Sequence, residues 1–182
     1  MKTTKKLVAI AVLCVAGFSA SAQKMVGGNI NVGIPSGTFS SGVNTGFGAN
    51  VDFRMFMMEN IAVGGQIGFE SWGAKASGLG GVKISAIPVL LSGDYFLGTE
   101  GLMPYGGVQL GYSSNKVTVA TPIGDIETSE GGLAYGFRAG VLYPLNDMLR
   151  LNASAGYKSY AVTGGSIAQI SINLGVMYNL GE

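Results

Sequence analysis

A chain of 182 residues with 47% hydrophobic and only 12% charged side chains has the size of one domain and enough apolar mass for a substantial core. Its formal charge of +1 excludes a strongly basic nucleic-acid binder, and with one cysteine it is no disulfide scaffold. It has no histidine, so imidazole bases, imidazole metal sites and Ser-His or Cys-His pairs are absent, and the sequence reads as a protein with no enzymatic activity, cofactor or metal.

Residues 1–22 read as an address. Lys2, Lys5 and Lys6 precede an apolar run from Leu7 to Phe18, and Ala20-Ser21-Ala22 forms a small-x-small cleavage site before Gln23. The run is shorter than the ~20 residues a spanning helix needs, so a secretory signal peptide over 1–22 is expected, with 23–182 as one domain. Cys14 lies inside that leader, and Val12-Leu13 before it lacks the small residue of a lipoprotein site. The exported chain then carries eight basic and ten acidic side chains, which gives no electrostatic attraction for nucleic acid.

From there on, apolar residues recur with period two between Gly, Pro, Asn and Ser clusters, the signature of strands. Eight are predicted, over residues 25–34, 45–56, 61–70, 82–96, 104–118, 131–143, 148–160 and 167–180. The fourth is blurred by Pro88 and Leu90. In the fifth, Tyr105 and Val108 have opposite parity, which predicts a β-bulge at Gly106-Gly107. The last is the clearest, with Ile170, Ile172, Leu174, Val176, Tyr178 and Leu180 alternating with Ser171, Asn173, Gly175, Met177 and Asn179.

Short links at 57–60, 98–103 and 144–147 alternate with longer ones at 35–44, 71–81 and 119–130, although 163–166 is short where a long one is expected. Tight turns at one end and larger loops at the other fit an outer-membrane barrel and not a soluble sandwich. The polar face agrees, because it carries Gly, Ser, Asn and Gln in place of the Lys and Glu of a water-facing surface. Small residues suit the crowded bore of a narrow barrel. The apolar face carries Phe47, Phe69, Tyr112, Tyr135 and Tyr157 toward the long-loop end, and Phe53, Tyr95, Tyr143 and Tyr178 toward the short-turn end, matching two aromatic girdles at the membrane interfaces. By the same parity Asp52, Arg54, Glu70, Asp94, Arg138, Arg150 and Lys158 point inward, where they are expected to pair into a salt-bridged plug. The fold predicted is an all-β, eight-stranded antiparallel up-and-down transmembrane β-barrel.

The segments IPVLLSGDYFL (87–97), PYGGVQLGYS (104–113) and INLGVMYNLGE (172–182), behind a Sec-type leader, resemble the small outer-membrane β-barrel proteins of Gram-negative bacteria, of OmpA/OmpX type or OmpW-like. The resemblance implies a monomer in the cell outer membrane with both termini periplasmic. Its partners would be outer-membrane lipids and lipopolysaccharide, with barrel-assembly machinery reading the last strand during biogenesis. That strand closes on Leu180 with Gly181-Glu182 after it, where the usual pattern has a terminal Phe.

Other motifs are weaker. Asp125, Glu127 and Glu130 in a long loop match no calcium-loop spacing, and Trp72 with Lys75 reads as an interface anchor or a lipopolysaccharide contact. Two functions stay open at this level: a structural or surface-interaction barrel with a plugged interior, and a narrow porin-like channel with Arg54 and Arg138 at its constriction. A secreted soluble β-sandwich is the alternative fold.

Overall fold

Period-two alternation leaves each strand with one greasy and one polar face, and only a closed ring can bury the polar face while satisfying every backbone N–H and C=O in lipid. The computed structural model describes residues 23–75, 82–121 and 124–181; the expected leader lies outside these residues. It contains eight strands: β1 Lys24–Ser36, β2 Gly46–Met58, β3 Ile61–Gly73, β4 Val82–Phe96, β5 Met103–Thr121, β6 Gly124–Pro144, β7 Leu149–Val162 and β8 Gly165–Gly181, with a short 3-10 turn at Gly37–Ser41. Each strand pairs antiparallel with the next and β1 pairs with β8, so the sheet is a closed up-and-down barrel.

The outward face is the apolar one. Phe47, Phe69, Tyr112 and Tyr135 are exposed toward the end bearing the 3-10 turn, and Tyr95, Tyr143 and Tyr178 toward the opposite end. Phe53 and Tyr157 lie half-buried on the same face, and Tyr157 stacks on Phe137 with centroids 5.6 Å apart.

Several expectations are corrected. Residues 119–121 and 124–130 are strand and not loop. They continue β5 and β6 as a hairpin in unbroken register, because Val117 and Val119 face Thr128 and Ile126 across it. Residues 71–73 belong to β3, and Trp72 points inward, 1% exposed. There is no bulge at Gly106-Gly107, since both neighbouring ladders run through it without a shift. Tyr105 shares the inward parity of Gln109 and Ser113, whereas Val108 faces out. The blurred fourth strand has a similar cause: Leu90 points inward, and the β3–β4 ladder skips Ile87 and Pro88 before resuming in the same register. Proline has no N–H to donate there.

The Gly106-Gly107 step gives a test of inside and outside. A Cβ on Gly107 would lie 2.0 Å from Asp94 Oδ1 and 2.8 Å from the Gly93 carbonyl, while one on Gly106 meets nothing within 4 Å. Gly107→Leu should therefore abolish the heat-modifiable folded band on electrophoresis after refolding, and Gly106→Leu should retain it. A bulge at this step would predict the two variants to behave alike.

Candidate functional site: the barrel interior and its outer mouth

The inward side chains form layers. At the short-turn end Met25, Phe56, Ala62, Phe96, Met103, Leu142 and Met177 are buried together with Tyr105. Phe96 packs on both Phe56 and Tyr105, with centroids 4.9 and 5.2 Å apart. Arg150, on β7, points into this apolar layer, where its Nη1 lies 3.0 Å from Met103 Sδ and 3.4 Å from the Gly101 carbonyl. Of the seven inward charges expected, it is the one that joins no carboxylate among the described residues. Position explains this, since Arg150 is the second residue of β7, below the level of the acids.

Above this layer lies a neutral quartet of two acids and two bases. The Arg138 guanidinium forks onto Asp94, with Nε donating to Oδ1 at 3.0 Å and Nη2 to Oδ2 at 2.8 Å, while Nη1 donates to both Asp52 oxygens at 3.2 and 3.1 Å. Planar bidentate pairing of this kind is specific to arginine. Arg54, fully buried, lies 3.5 Å from Asp52 and 3.6 Å from Asp94, stacks 4.3 Å over the Tyr105 ring and donates to the Tyr105 hydroxyl at 3.0 Å. That hydroxyl donates to Asn152 Oδ1, whose amide donates to Asn29, which donates to Asn50. Gln66 and Gln109 extend the amide chain. Higher still, Glu70 accepts from Asn31, Lys158, Tyr160 and Gln169. The six remaining predicted charges thus fall into two separate clusters.

A second apolar layer covers this stack at the other end. Val43, Trp72, Ala86, Leu90, Ala134, Tyr160 and Ile167 are buried together, with Phe39, Ile84 and Val162 packed on them. Neither apolar layer was foreseen from the sequence, because apolar residues were assigned outward as a class. The signal was parity: Met25, Phe56, Phe96 and Leu142 share the phase of polar neighbours such as Asn29, Asp52, Asp94 and Arg138 on their own strands.

Outside the membrane band, Asp125, Glu127 and Glu130 do not converge, and among the described residues no group of three potential metal ligands exists. Glu127 pairs with Lys116 at 2.6 Å on the outer face of the β5–β6 hairpin. Glu130 faces the other way and accepts from the Thr163 N–H at 3.1 Å, latching β6 to the β7–β8 turn. The Thr163 hydroxyl and this N–H together hold the Glu130 carboxyl below its ordinary range. Lys75 donates to the Ser40 carbonyl at 2.8 Å, tying the second outer loop to the first.

Comparison with known proteins places this geometry. The family model described as "Outer membrane protein beta-barrel domain" matches residues 7–179. No curated protein matches the sequence. Among solved structures, Neisserial surface protein A resembles the chain at TM-score 0.65 and 17% identity, over 86% of this chain and 97% of that one. Ail, the attachment invasion locus protein of Yersinia pestis, solved in complex with the heparin analogue sucrose octasulfate, gives 0.62 and 18%, over 88% and 100%. OprG from Pseudomonas aeruginosa gives 0.59 and 12%, over 89% and 97%. At these identities the likeness is one of fold.

Two outcomes are expected. Arg138→Ala leaves two buried carboxylates short of a partner and should cost about 3–5 kcal/mol in denaturant unfolding in lipid vesicles, whereas Arg150→Ala should cost roughly 1 kcal/mol or less. The Glu130 latch is held above the ordinary carboxylate pKa and lost as pH falls through the lowered one. The Thr163 amide resonance followed against pH should therefore titrate with a midpoint below that of an ordinary glutamate.

Proposed function

The chain belongs to the outer membrane protein beta-barrel domain family, and on that footing we propose that it is a sealed, non-conducting barrel of the cell outer membrane whose work is done at its surface-exposed end. The observation that carries this reading is the pair of apolar layers. A conducting pore needs a continuous polar path or a constriction that can wet. Here the polar middle of the bore, with its quartet and its Glu70 cluster, is closed below by Phe56, Phe96, Met103 and Met177 and above by Trp72, Leu90 and Tyr160. An eight-stranded ring is only just wide enough for its own side chains, so these layers have little room to move aside. Ail, solved with sucrose octasulfate, is a precedent for ligand binding by a barrel of this kind.

A surface role also suits the strand lengths. About 10 tilted residues cross the hydrocarbon region, yet β5 has 19 and β6 has 21, so their surplus projects beyond the membrane. Lipopolysaccharide and the other outer-membrane lipids are the partners of the girdled wall in this reading, and the protein acts as a monomer.

The test is conductance in a planar bilayer. The intact chain should be silent, and Arg138→Ala should be silent too, because removing the guanidinium leaves both apolar layers in place. Discrete current steps from the intact chain would overturn the sealed-barrel reading in favour of a narrow porin-like channel.

A further inference from the structure

In the membrane band the barrel is polar inside and apolar outside, but in the projecting β5–β6 hairpin that polarity is reversed. Lys116, Asp125, Glu127 and Ser129 face outward, while Val117, Val119 and Ile126 line the inner side. Ile126 is 61% exposed, an apolar side chain held above the membrane and turned toward the barrel axis. With the upper apolar layer as floor, this inner side encloses a cup of about 430 Å³ whose apolar walls are Phe39, Ile84, Val117, Val162 and Ile167. That volume falls within the range of small-molecule sites.

Six polar residues share the lining, Thr38, Asn115, Thr128, Glu130, Thr163 and Ser166, and two of them, Asn115 and Glu130, face each other on paired strands. Asn115 is only 3% exposed; its Oδ1 accepts from Ser113, but its Nδ2 has no hydrogen-bond partner. A buried amide donor left unpaired carries an uncompensated desolvation penalty, so an acceptor oxygen entering the cup would relieve it. Directly opposite Asn115 on the paired strand stands Glu130, also lining the cup. Inward-facing residues in such register hold their Cβ atoms ~4.5–5.5 Å apart, so one small head group can reach both. Among the described residues no lysine or arginine lines the cup, since Lys116 is held on the outer face by Glu127. Thr163 hydrogen-bonds the Glu130 carboxylate and lowers its pKa, so the cup presents an anionic group at neutral pH.

We propose that this cup binds a small amphipathic amine: a protonated amine at Glu130, a neighbouring hydroxyl or carbonyl oxygen at Asn115 Nδ2, and an apolar body against Phe39, Ile84 and Val162. The head group must carry both features because the two protein groups are adjacent and opposite in kind, an anion and a neutral donor. An anionic amphiphile would meet Glu130 with like charge. The inference rests on the reading of the exposed end as the working surface, and it names what that surface takes.

The test uses the full chain refolded into phosphatidylcholine nanodiscs, with empty nanodiscs subtracted, and follows the Asn115 side-chain amide resonance. Phenylalaninol, which has amine, hydroxyl and an apolar ring, should shift that resonance saturably. Hydrocinnamyl alcohol, lacking the amine, should bind at least about tenfold more weakly, as expected for loss of a charge-assisted hydrogen bond, and hydrocinnamate should bind more weakly still. Glu130→Gln, whose amide oxygen can still accept from Thr163, should bring phenylalaninol down to the level of the alcohol while keeping the heat-modifiable band. Asn115→Ala, which lacks the Asn115 amide and is followed through Trp72 fluorescence instead, should weaken phenylalaninol and the alcohol together, with little effect on phenethylamine. Trp72, the chain's single tryptophan, contacts Phe39 edge-on at 5.8 Å and offers a second readout through its fluorescence. Absence of a saturable shift, equal binding of phenylalaninol and the alcohol, or preference for hydrocinnamate would overturn the proposal. Those results leave a silent bilayer trace untouched, whereas a conducting chain would sink the sealed-barrel reading whatever the titration gives.

Discussion

Closure of the backbone ring in a solvent that cannot hydrogen-bond is the constraint from which the rest of this molecule follows. A strand edge left open in hydrocarbon would expose N–H and C=O groups at several kcal/mol each. The eight strands avoid this by returning β8 onto β1 along thirteen registered positions. Eight strands then fix the bore, and the bore dictates side-chain size. A Cβ on Gly48 would lie 2.4 Å from the Phe69 carbonyl, and one on Gly136 would lie 2.4 Å from the Tyr157 carbonyl, so the lumen has no space for a methyl group at these positions. The 31 glycines of the sequence are in good part the consequence of a narrow cylinder.

A bore that narrow buries its charges, and burial makes charge balance obligatory. Removing an ion from water costs several kcal/mol that only close, well-oriented counter-charges return. The quartet meets that condition by being neutral and by concentrating its hydrogen bonds on one group, the Arg138 guanidinium, which spans β2 and β4 from β6. Arg54 supplies the second positive charge at longer range and takes up the Tyr105 ring face as a partner, so the network reaches β5 and, through Asn152 and Asn29, also β7 and β1. Six strands are thereby tied at one level. A slip of one residue in any of them would turn its member of the network to the lipid side, so the quartet holds the register as well as filling the space.

Much of this was legible in the sequence. The period of two, the parity of Asp52, Asp94 and Arg138, and the outward aromatics all follow from side chains that obey one polarity rule, polar in and apolar out. What was not legible lies where that rule is overridden. Tyr105 was read outward because it is aromatic, and a bulge was then needed to reconcile it with Val108; in the fold it faces inward because Arg54 requires a ring and a hydroxyl. Trp72 was read as a loop anchor because the strand was ended at residue 70, yet the ladder runs on to Gly73 and the indole closes the bore. The link at 119–130 reads as a loop because the outward apolar alternation of the fifth and sixth strands stops short of it, whereas Val117, Val119 and Ile126 take up the alternation in the opposite phase.

That change of phase is informative in its own right. A strand that crosses from lipid to water exchanges the solvent on its outer face but keeps the same neighbours on its inner face, and the polarity of each face follows its surroundings. At the short-turn end, inward apolar residues meet one another across the bore and are covered, as Phe56 and Phe96 are. At the far end the ladder between β7 and β6 runs only from Ala134 downward, and above it β6 meets the β7–β8 turn through the Glu130–Thr163 latch, so the inward apolar residues near the hairpin tip have no strand closing over them. Valine and isoleucine there, with polar residues on the opposite side of the same hairpin, would be a net loss of free energy if the inner side faced only water. The arrangement is favourable only if that side is covered part of the time, and the cup bounded by Asn115 and Glu130 is where a covering molecule would find both apolar walls and the unpaired Asn115 amide beside the Glu130 carboxylate.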